Sequence, residues 1–323
     1  MTLHFKPVTR GNGTAYLFPG QGTQAVGMGE ELYDNSKAAR SVFHEVDKAL
    51  DRPLSKLLFE GPADELKETE NAQPAILAVS LASVKAIQDH LGSDNVPSPQ
   101  FVAGHSLGEY TALAVAGVLD VAETAWLVQE RGRLMQEACQ KQVGAMAAVI
   151  GLDQMTLEQI CREAGTVIST VNTPDQIVIS GDRRSLANAL DMATARGARK
   201  AMPLRVAGAF HSPLMEPAQA GLIEAVEALT FKDPSVPIIA NYTARPLTKG
   251  SAVKNELIAG ICNCVNWSQS VTYMLKSGVD RFIEIGPGRV LSGMVKRMDS
   301  EVTVENIGAV SYTHLTLPTS DLV

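Results

Sequence analysis

The residues Phe101-Val102-Ala103-Gly104-His105-Ser106-Leu107-Gly108-Glu109-Tyr110 run from a short apolar strand through a glycine-flanked serine into a helix. This G-x-S-x-G spacing fits a strained strand-to-helix turn that lifts a hydroxyl above the end of a sheet. Gly104 and Gly108 suit so tight a turn because a Cβ on either side would meet the neighbouring chain. The small, apolar helix that follows aims its N-terminal N–H groups at the serine, where an oxyanion would form. A plain structural turn is the alternative, but the strand before and the helix after favour a catalytic Ser106.

A serine of this kind needs a base. Among six histidines, His4 and His314 fall in terminal segments, His44 and His90 fall on helical patterns, and His105 adjoins the serine across the turn. His211, in the irregular apolar stretch 206–215, is the best remaining base for Ser106, with a buried core histidine as the alternative. No Asp or Glu stands out as a third member of a hydrolase triad. A Ser-His dyad with a carbonyl partner is the economical reading.

Ahead of the turn, the β-rich run 14–18 ends in Pro19-Gly20-Gln21-Gly22-Thr23-Gln24. Its glycines would let a backbone approach a ligand closely, and it lacks the G-K-[ST] ending of a phosphate loop. A tight βα turn is the alternative. Pro74 introduces a long apolar helix over 75–90. A helix over 120–139 carries Arg131 and Arg133, which by residue type alone read as solvated-face residues.

Residues 144–204 change character. Strands are predicted at 145–150, 167–172, 176–180 and 199–204, with helices at 155–164 and 184–196, which is the ferredoxin-like β-α-β-β-α-β order. Strands alternate with helices on both sides of this stretch, which predicts a mostly parallel sheet. The expected fold is an α/β-hydrolase-like main domain (1–142 and 205–310) with an inserted ferredoxin-like small domain (143–204). Residues 311–323 do not continue the pattern and resemble translated sequencing adaptor, so they are expected to be a foreign, non-domain tail.

The formal charge of −7 argues against a nucleic-acid binder. Four cysteines without C-x-x-C spacing, and an opening stretch without signal-peptide character, lead to the expectation of a cytoplasmic protein with reduced thiols. No apolar run is long enough to span a membrane.

Four separated stretches, Phe18-Pro19-Gly20-Gln21-Gly22-Thr23-Gln24, Gly104 to Tyr110, Gly208-Ala209-Phe210-His211-Ser212 and Ile285-Gly286-Pro287-Gly288, resemble the malonyl-CoA:acyl carrier protein transacylases and the related acyltransferase domains of polyketide synthases. The resemblance runs along nearly the whole chain. It implies ping-pong transfer of malonyl from malonyl-CoA to an acyl carrier protein through an ester on Ser106, with His211 as base and then acid. It implies an oxyanion hole from the backbone N–H groups of Gln21 and Leu107, and Arg131 as the grip on the malonyl carboxylate. Phe210 would select malonyl over methylmalonyl, and the backbone carbonyl of Asn266 would orient the histidine. Cys264 stands where the family usually has proline before Val-x-Trp. The expected enzyme is a monomer that needs no cofactor or metal and binds neither nucleic acid nor membrane. Arg199 and Lys200 are candidates to meet an acidic carrier. The competing readings are a serine esterase or thioesterase, which would release the acyl group to water, and a non-catalytic scaffold that binds carrier proteins.

Overall fold

Along the strand Thr14–Phe18 the side chains alternate between two cores, Ala15 and Leu17 facing one and Tyr16 and Phe18 the other. Burial of both faces is what a strand inside a helix-covered parallel sheet requires. The computed structural model describes residues 13–92 and 96–308, and the expected tail at 311–323 lies outside them. Its strands are β1 (Thr14–Phe18), β2 (Phe101–Gly104), β3 (Ala145–Ile150), β4 (Val167–Thr173), β5 (Gln176–Gly181), β6 (Lys200–Pro203), β7 (Ile238–Ile239), β8 (Pro246–Leu247), β9 (Arg281–Ile285) and β10 (Thr303–Ile307).

The larger sheet has the order β10-β9-β1-β2-β7-β8, parallel throughout except for the antiparallel β7–β8 pair. Its register sets Phe18 beside Gly104, so the loop after β1 and the turn after β2 leave the sheet side by side. The other sheet, β4-β5-β3-β6, is antiparallel and has its own apolar core of Val149, Leu157, Ile177, Ile179 and Leu186 among others. Its strands and the helices Gln154–Ala164 and Arg183–Ala195 follow the expected β-α-β-β-α-β order.

The smaller sheet is tied to the segment before the helix Trp267–Lys276, where Val171 N–H donates to Val265 O (2.9 Å) and Val265 N–H donates to Ser169 O (2.9 Å). This pairing fixes the segment in which Cys264 replaces proline. The mixed α/β fold thus carries a mostly parallel sheet and a separate antiparallel one.

Two helices depart from expectation. The apolar helix begins at Thr69, not at residue 75, and carries Pro74 inside it. Proline cannot donate to the carbonyl four residues back, and Arg52 Nη2 donates to that Glu70 oxygen instead (3.3 Å). The helix Gly250–Gly260 was not expected at all, although Val253, Leu257 and Ile261 recur every fourth residue and are buried.

Candidate active site

The nucleophile turn is built by close backbone approach. A Cβ on Gly104 would stand 1.9 Å from the carbonyl carbon of Gly108, and one on Gly108 would stand 2.0 Å from Phe18 O. Only glycine fits at either place, which is why the strand, turn and helix can stack so tightly. Ser106 between them has φ 52°, a left-handed conformation that a residue with a Cβ adopts only when its surroundings impose it. Gly20 presses on the same turn, since its Cβ would lie 2.5 Å from His105 O.

Ser106 Oγ lies 2.8 Å from His211 Nε2 although the two are 105 residues apart in sequence. His211 also holds a left-handed φ, 54°. Its Nδ1 is 2.9 Å from the carbonyl oxygen of Gly260, the last residue of the helix Gly250–Gly260. A carbonyl can only accept, so Nδ1 carries the proton and Nε2 is left to accept from the serine hydroxyl; the tautomer is assigned from this network. Burial, and then the positive charge of Arg131, push the imidazole pKa down to about 3, so the ring is neutral at pH 7.

The orienting carbonyl is therefore not that of Asn266. Asn266 precedes the helix Trp267–Lys276, and its carbonyl accepts from Ser270 N–H (3.0 Å) and Ser270 Oγ (3.2 Å). A carbonyl at a helix start is taken by the helix's own fourth N–H, whereas the last carbonyls of a helix have no such partner and are free to receive a histidine.

Arg131 does not lie on a solvated face: it is 3% exposed. Its guanidinium donates to Gln73 Oε1 (2.6 Å) and Ser106 Oγ (3.1 Å) and lies 5.0 Å from the centre of the Tyr110 ring. Its Nε–H is buried without an acceptor among the described residues. The group has unused capacity for an anion next to the serine. Arg133, two residues on, is half exposed and paired with Glu130 (2.8 Å) and Glu137 (2.6 Å). Arg199 pairs with Asp175 on the surface.

A cavity of about 670 Å³ opens over the dyad, lined by Gln21, His105, Ser106, Asn172, Phe210 and His211 among others. Neither Gln21 N–H nor Leu107 N–H has a hydrogen-bond acceptor among the described residues. Leu107 N–H belongs to the turn itself, and Gln21 follows the glycine pressed against it. Phe210 is 7% exposed, and its carbonyl accepts from Ser180 Oγ on β5 (3.0 Å). His105 turns away from the dyad and pairs through Nε2 with Asn172 Oδ1 on β4 (2.9 Å).

Sequence reasoning missed Gly260, Gln73, Asn241 and the buried Glu109. Gln73 holds the guanidinium, and Asn241 Oδ1 accepts from Ser106 N–H (2.7 Å). Glu109 is 4% exposed, and burial followed by the charge of Glu256 raises its pKa well above the ordinary range. A neutral amide carries no chemical signature of a site. Only the pairing of Glu109 with the G-x-S-x-G turn in sequence could have drawn notice.

The site of this mixed α/β protein therefore combines a neutral histidine aimed at a serine hydroxyl, two N–H groups without acceptors among the described residues, and a buried guanidinium. The acyl transferase domain family matches residues 15–310, and the chain belongs to that family. Among its relatives, a malonyl CoA-acyl carrier protein transacylase of Bacillus subtilis is 43% identical over 290 residues, covering 88% of this chain and 90% of the relative. The enzyme of that name from Escherichia coli K12 is 40% identical over 301 residues, covering 92% and 96%. The crystal structure of an acyl-carrier-protein-S-malonyltransferase from Bartonella henselae superposes with a TM-score of 0.88 at 40% identity, covering 91% and 95%. A malonyl-transacylase in complex with a type II PKS acyl-carrier protein superposes at 0.86 with 36% identity, covering 91% and 95%.

Proposed function

We infer that this chain transfers malonyl from malonyl-CoA to the phosphopantetheine thiol of an acyl carrier protein through an ester on Ser106. The observation that carries this reading is the buried Arg131 guanidinium 3.1 Å from Ser106 Oγ. A free carboxylate on the acyl group can take that fork in two hydrogen bonds, which an acetyl group cannot. Relatives covering most of the chain bear the matching name.

In the first half-reaction His211 Nε2 takes the hydroxyl proton as Ser106 Oγ attacks the thioester carbonyl. The N–H groups of Gln21 and Leu107 receive the oxyanion, a contribution typically worth about two to three powers of ten in rate for one donor. The C–S bond then breaks, and the departing CoA sulfur takes the proton from His211. The carrier thiol reverses these steps: it gives its proton to His211, attacks the ester, and Ser106 regains its hydrogen. The imidazolium formed in between is held by the Gly260 carbonyl in place of a carboxylate, and the malonyl carboxylate at Arg131 offsets the charge that otherwise disfavours it.

The residue ranges 1–142 and 205–310 for the main domain and 143–204 for the insertion belong to this reading, supported by the separate core of the smaller sheet. So do a monomeric state and a place in the cytoplasm, with no cofactor, membrane or nucleic acid in the scheme.

Intact mass spectrometry after incubation with malonyl-CoA tests it. A malonyl adduct on Ser106 that is discharged onto an added phosphopantetheine-bearing carrier is the expected result. No adduct, or discharge to water at the same rate without carrier, overturns the reading.

A further inference from the structure

Each polar group of Asn241 is hydrogen-bonded, and its side-chain amide is used on the nucleophile turn. Its Oδ1 accepts from Ser106 N–H (2.7 Å) and its Nδ2 donates to Gly104 O (2.7 Å). These partners flank His105, so one planar amide closes the turn from both ends. The Asn241 backbone N–H donates to Glu109 Oε1 (2.9 Å), and its carbonyl accepts from Asn266 N–H (2.7 Å). The residue is 3% exposed, so water has little access to replace a lost partner.

The segment Asn241-Tyr242 links the serine to the helix that orients its base. Tyr242 N–H donates to Glu256 Oε1 (2.6 Å), and Glu256 lies on the helix whose last carbonyl receives His211 Nδ1–H. The Ser106 backbone is thus hydrogen-bonded to Asn241, and the next residue in the chain, Tyr242, is hydrogen-bonded to the helix that orients His211.

We propose that Asn241 is a positioning residue for acyl transfer: its amide holds Ser106 in the left-handed geometry that presents Oγ to His211 and leaves Leu107 N–H free, while Glu109 holds Asn241 in register. Neither residue reaches the reacting atoms. The proposal rests on the acyl-transfer reading of the site, but the clasp itself can be tested without malonyl.

An amide is needed because the two bonds have opposite sense, one accepted and one donated. An aspartate can accept from Ser106 N–H but donates to Gly104 O only when protonated. Glu109, Glu256, Arg131 and His211 are the ionisable groups around it, and burial beside two carboxyl groups favours its protonated form as pH falls.

The test measures serine acylation in wild type, Asn241→Asp and Asn241→Ala, with folding checked by circular dichroism at each pH. Two reagents are used: malonyl-CoA, and a fluorophosphonate, with which the Ser106 O–P bond forms, the P–F bond breaks, fluoride leaves and His211 takes the proton. Asn241→Ala is expected to slow both reactions at least about tenfold, with KM for malonyl-CoA within about threefold of wild type. Asn241→Asp is expected to be as slow at about pH 9 and to recover toward wild type at about pH 6, where the wild-type rate does not rise.

A wild-type rate in Asn241→Ala, or an Asn241→Asp profile parallel to wild type over that range, overturns the proposal. If Asn241→Ala does not fold, the Asp variant decides alone. Wild type that reacts with the fluorophosphonate but forms no malonyl adduct overturns the acyl-transfer reading, and the fluorophosphonate rates still decide the clasp.

Discussion

His211 Nδ1 meets the carbonyl oxygen of Gly260 at 2.9 Å, so the base is oriented by the end of a helix and not by a side-chain carboxylate. A carbonyl cannot take a proton at working pH, which confines the proton to Nδ1 and keeps Nε2 basic toward Ser106. The catalytic proton then has one route, between Oγ and Nε2.

Nitrogen-15 NMR of labelled histidine should accordingly show His211 as the neutral Nδ1–H tautomer at pH 7 and still neutral near pH 5. Its pKa is pushed from 6.5 to about 3 by burial and Arg131, so the unfolded chain binds this proton at a higher pH than the folded one. There is no cost above pH 6.5, and stability is lost progressively as pH falls from there toward 3. A titration midpoint near 6.5 in the folded protein, or an Nε2–H tautomer, would contradict the assigned network.

Ser106→Ala should abolish the acyl adduct while leaving the far-ultraviolet spectrum and unfolding midpoint close to wild type, because one small hydroxyl is removed. His211→Ala should slow loading by about two to four powers of ten, the usual contribution of a positioned acid-base group. Adduct formation on Ser106→Ala would put the nucleophile elsewhere, and wild-type loading in His211→Ala would remove the dyad.

Arg131→Ala should lower malonyl loading at least about thirtyfold, because losing one partner of a buried charge pair costs on the order of 2 to 5 kcal/mol. Acetyl loading should not fall in parallel, since acetyl brings no carboxylate to the emptied site. The guanidinium also touches Ser106 Oγ and Gln73, so general damage is expected to affect both substrates, and the ratio of the two rates cancels it. Equal losses for malonyl and acetyl would assign Arg131 a purely structural role.

Phe210→Ser should relax discrimination against methylmalonyl-CoA without inverting it. The ring is buried against the cavity over the dyad, and filling the space of one methyl is worth only about 1 to 3 kcal/mol. Competition between the two thioesters, read by mass spectrometry of the acyl-enzyme, gives the selectivity directly; an unchanged ratio refutes the steric role.

Much of the frame was legible in the chain because it rests on local periodicity. The β-rich run at 14–18 and the apolar run before the glycine-flanked serine marked strands, and the β-α-β-β-α-β order of residues 144–204 marked the second sheet. The glycines around Ser106 were readable from their G-x-S-x-G spacing, although the backbone that excludes a Cβ at Gly108 belongs to Phe18 on another strand. Pro74 misled because local chemistry favours a helix beginning after it, while the compensating donor, Arg52, comes from a different helix-connecting segment.

The sequence by itself determined that a serine stands on a tight strand-to-helix turn, and it left His211 as the best available base with a core histidine as the alternative. Only the tertiary structure decided that Gly260 orients that histidine, that Gln73 and Ser106 hold a buried Arg131, and that Asn241 closes the turn. Backbone carbonyls are present in every residue and neutral amides are common everywhere, so residue type does not reveal such roles. They arise when packing removes water and brings to within about 3 Å groups that the chain separates by tens of residues, as it does for Asn241 and Ser106, 135 apart.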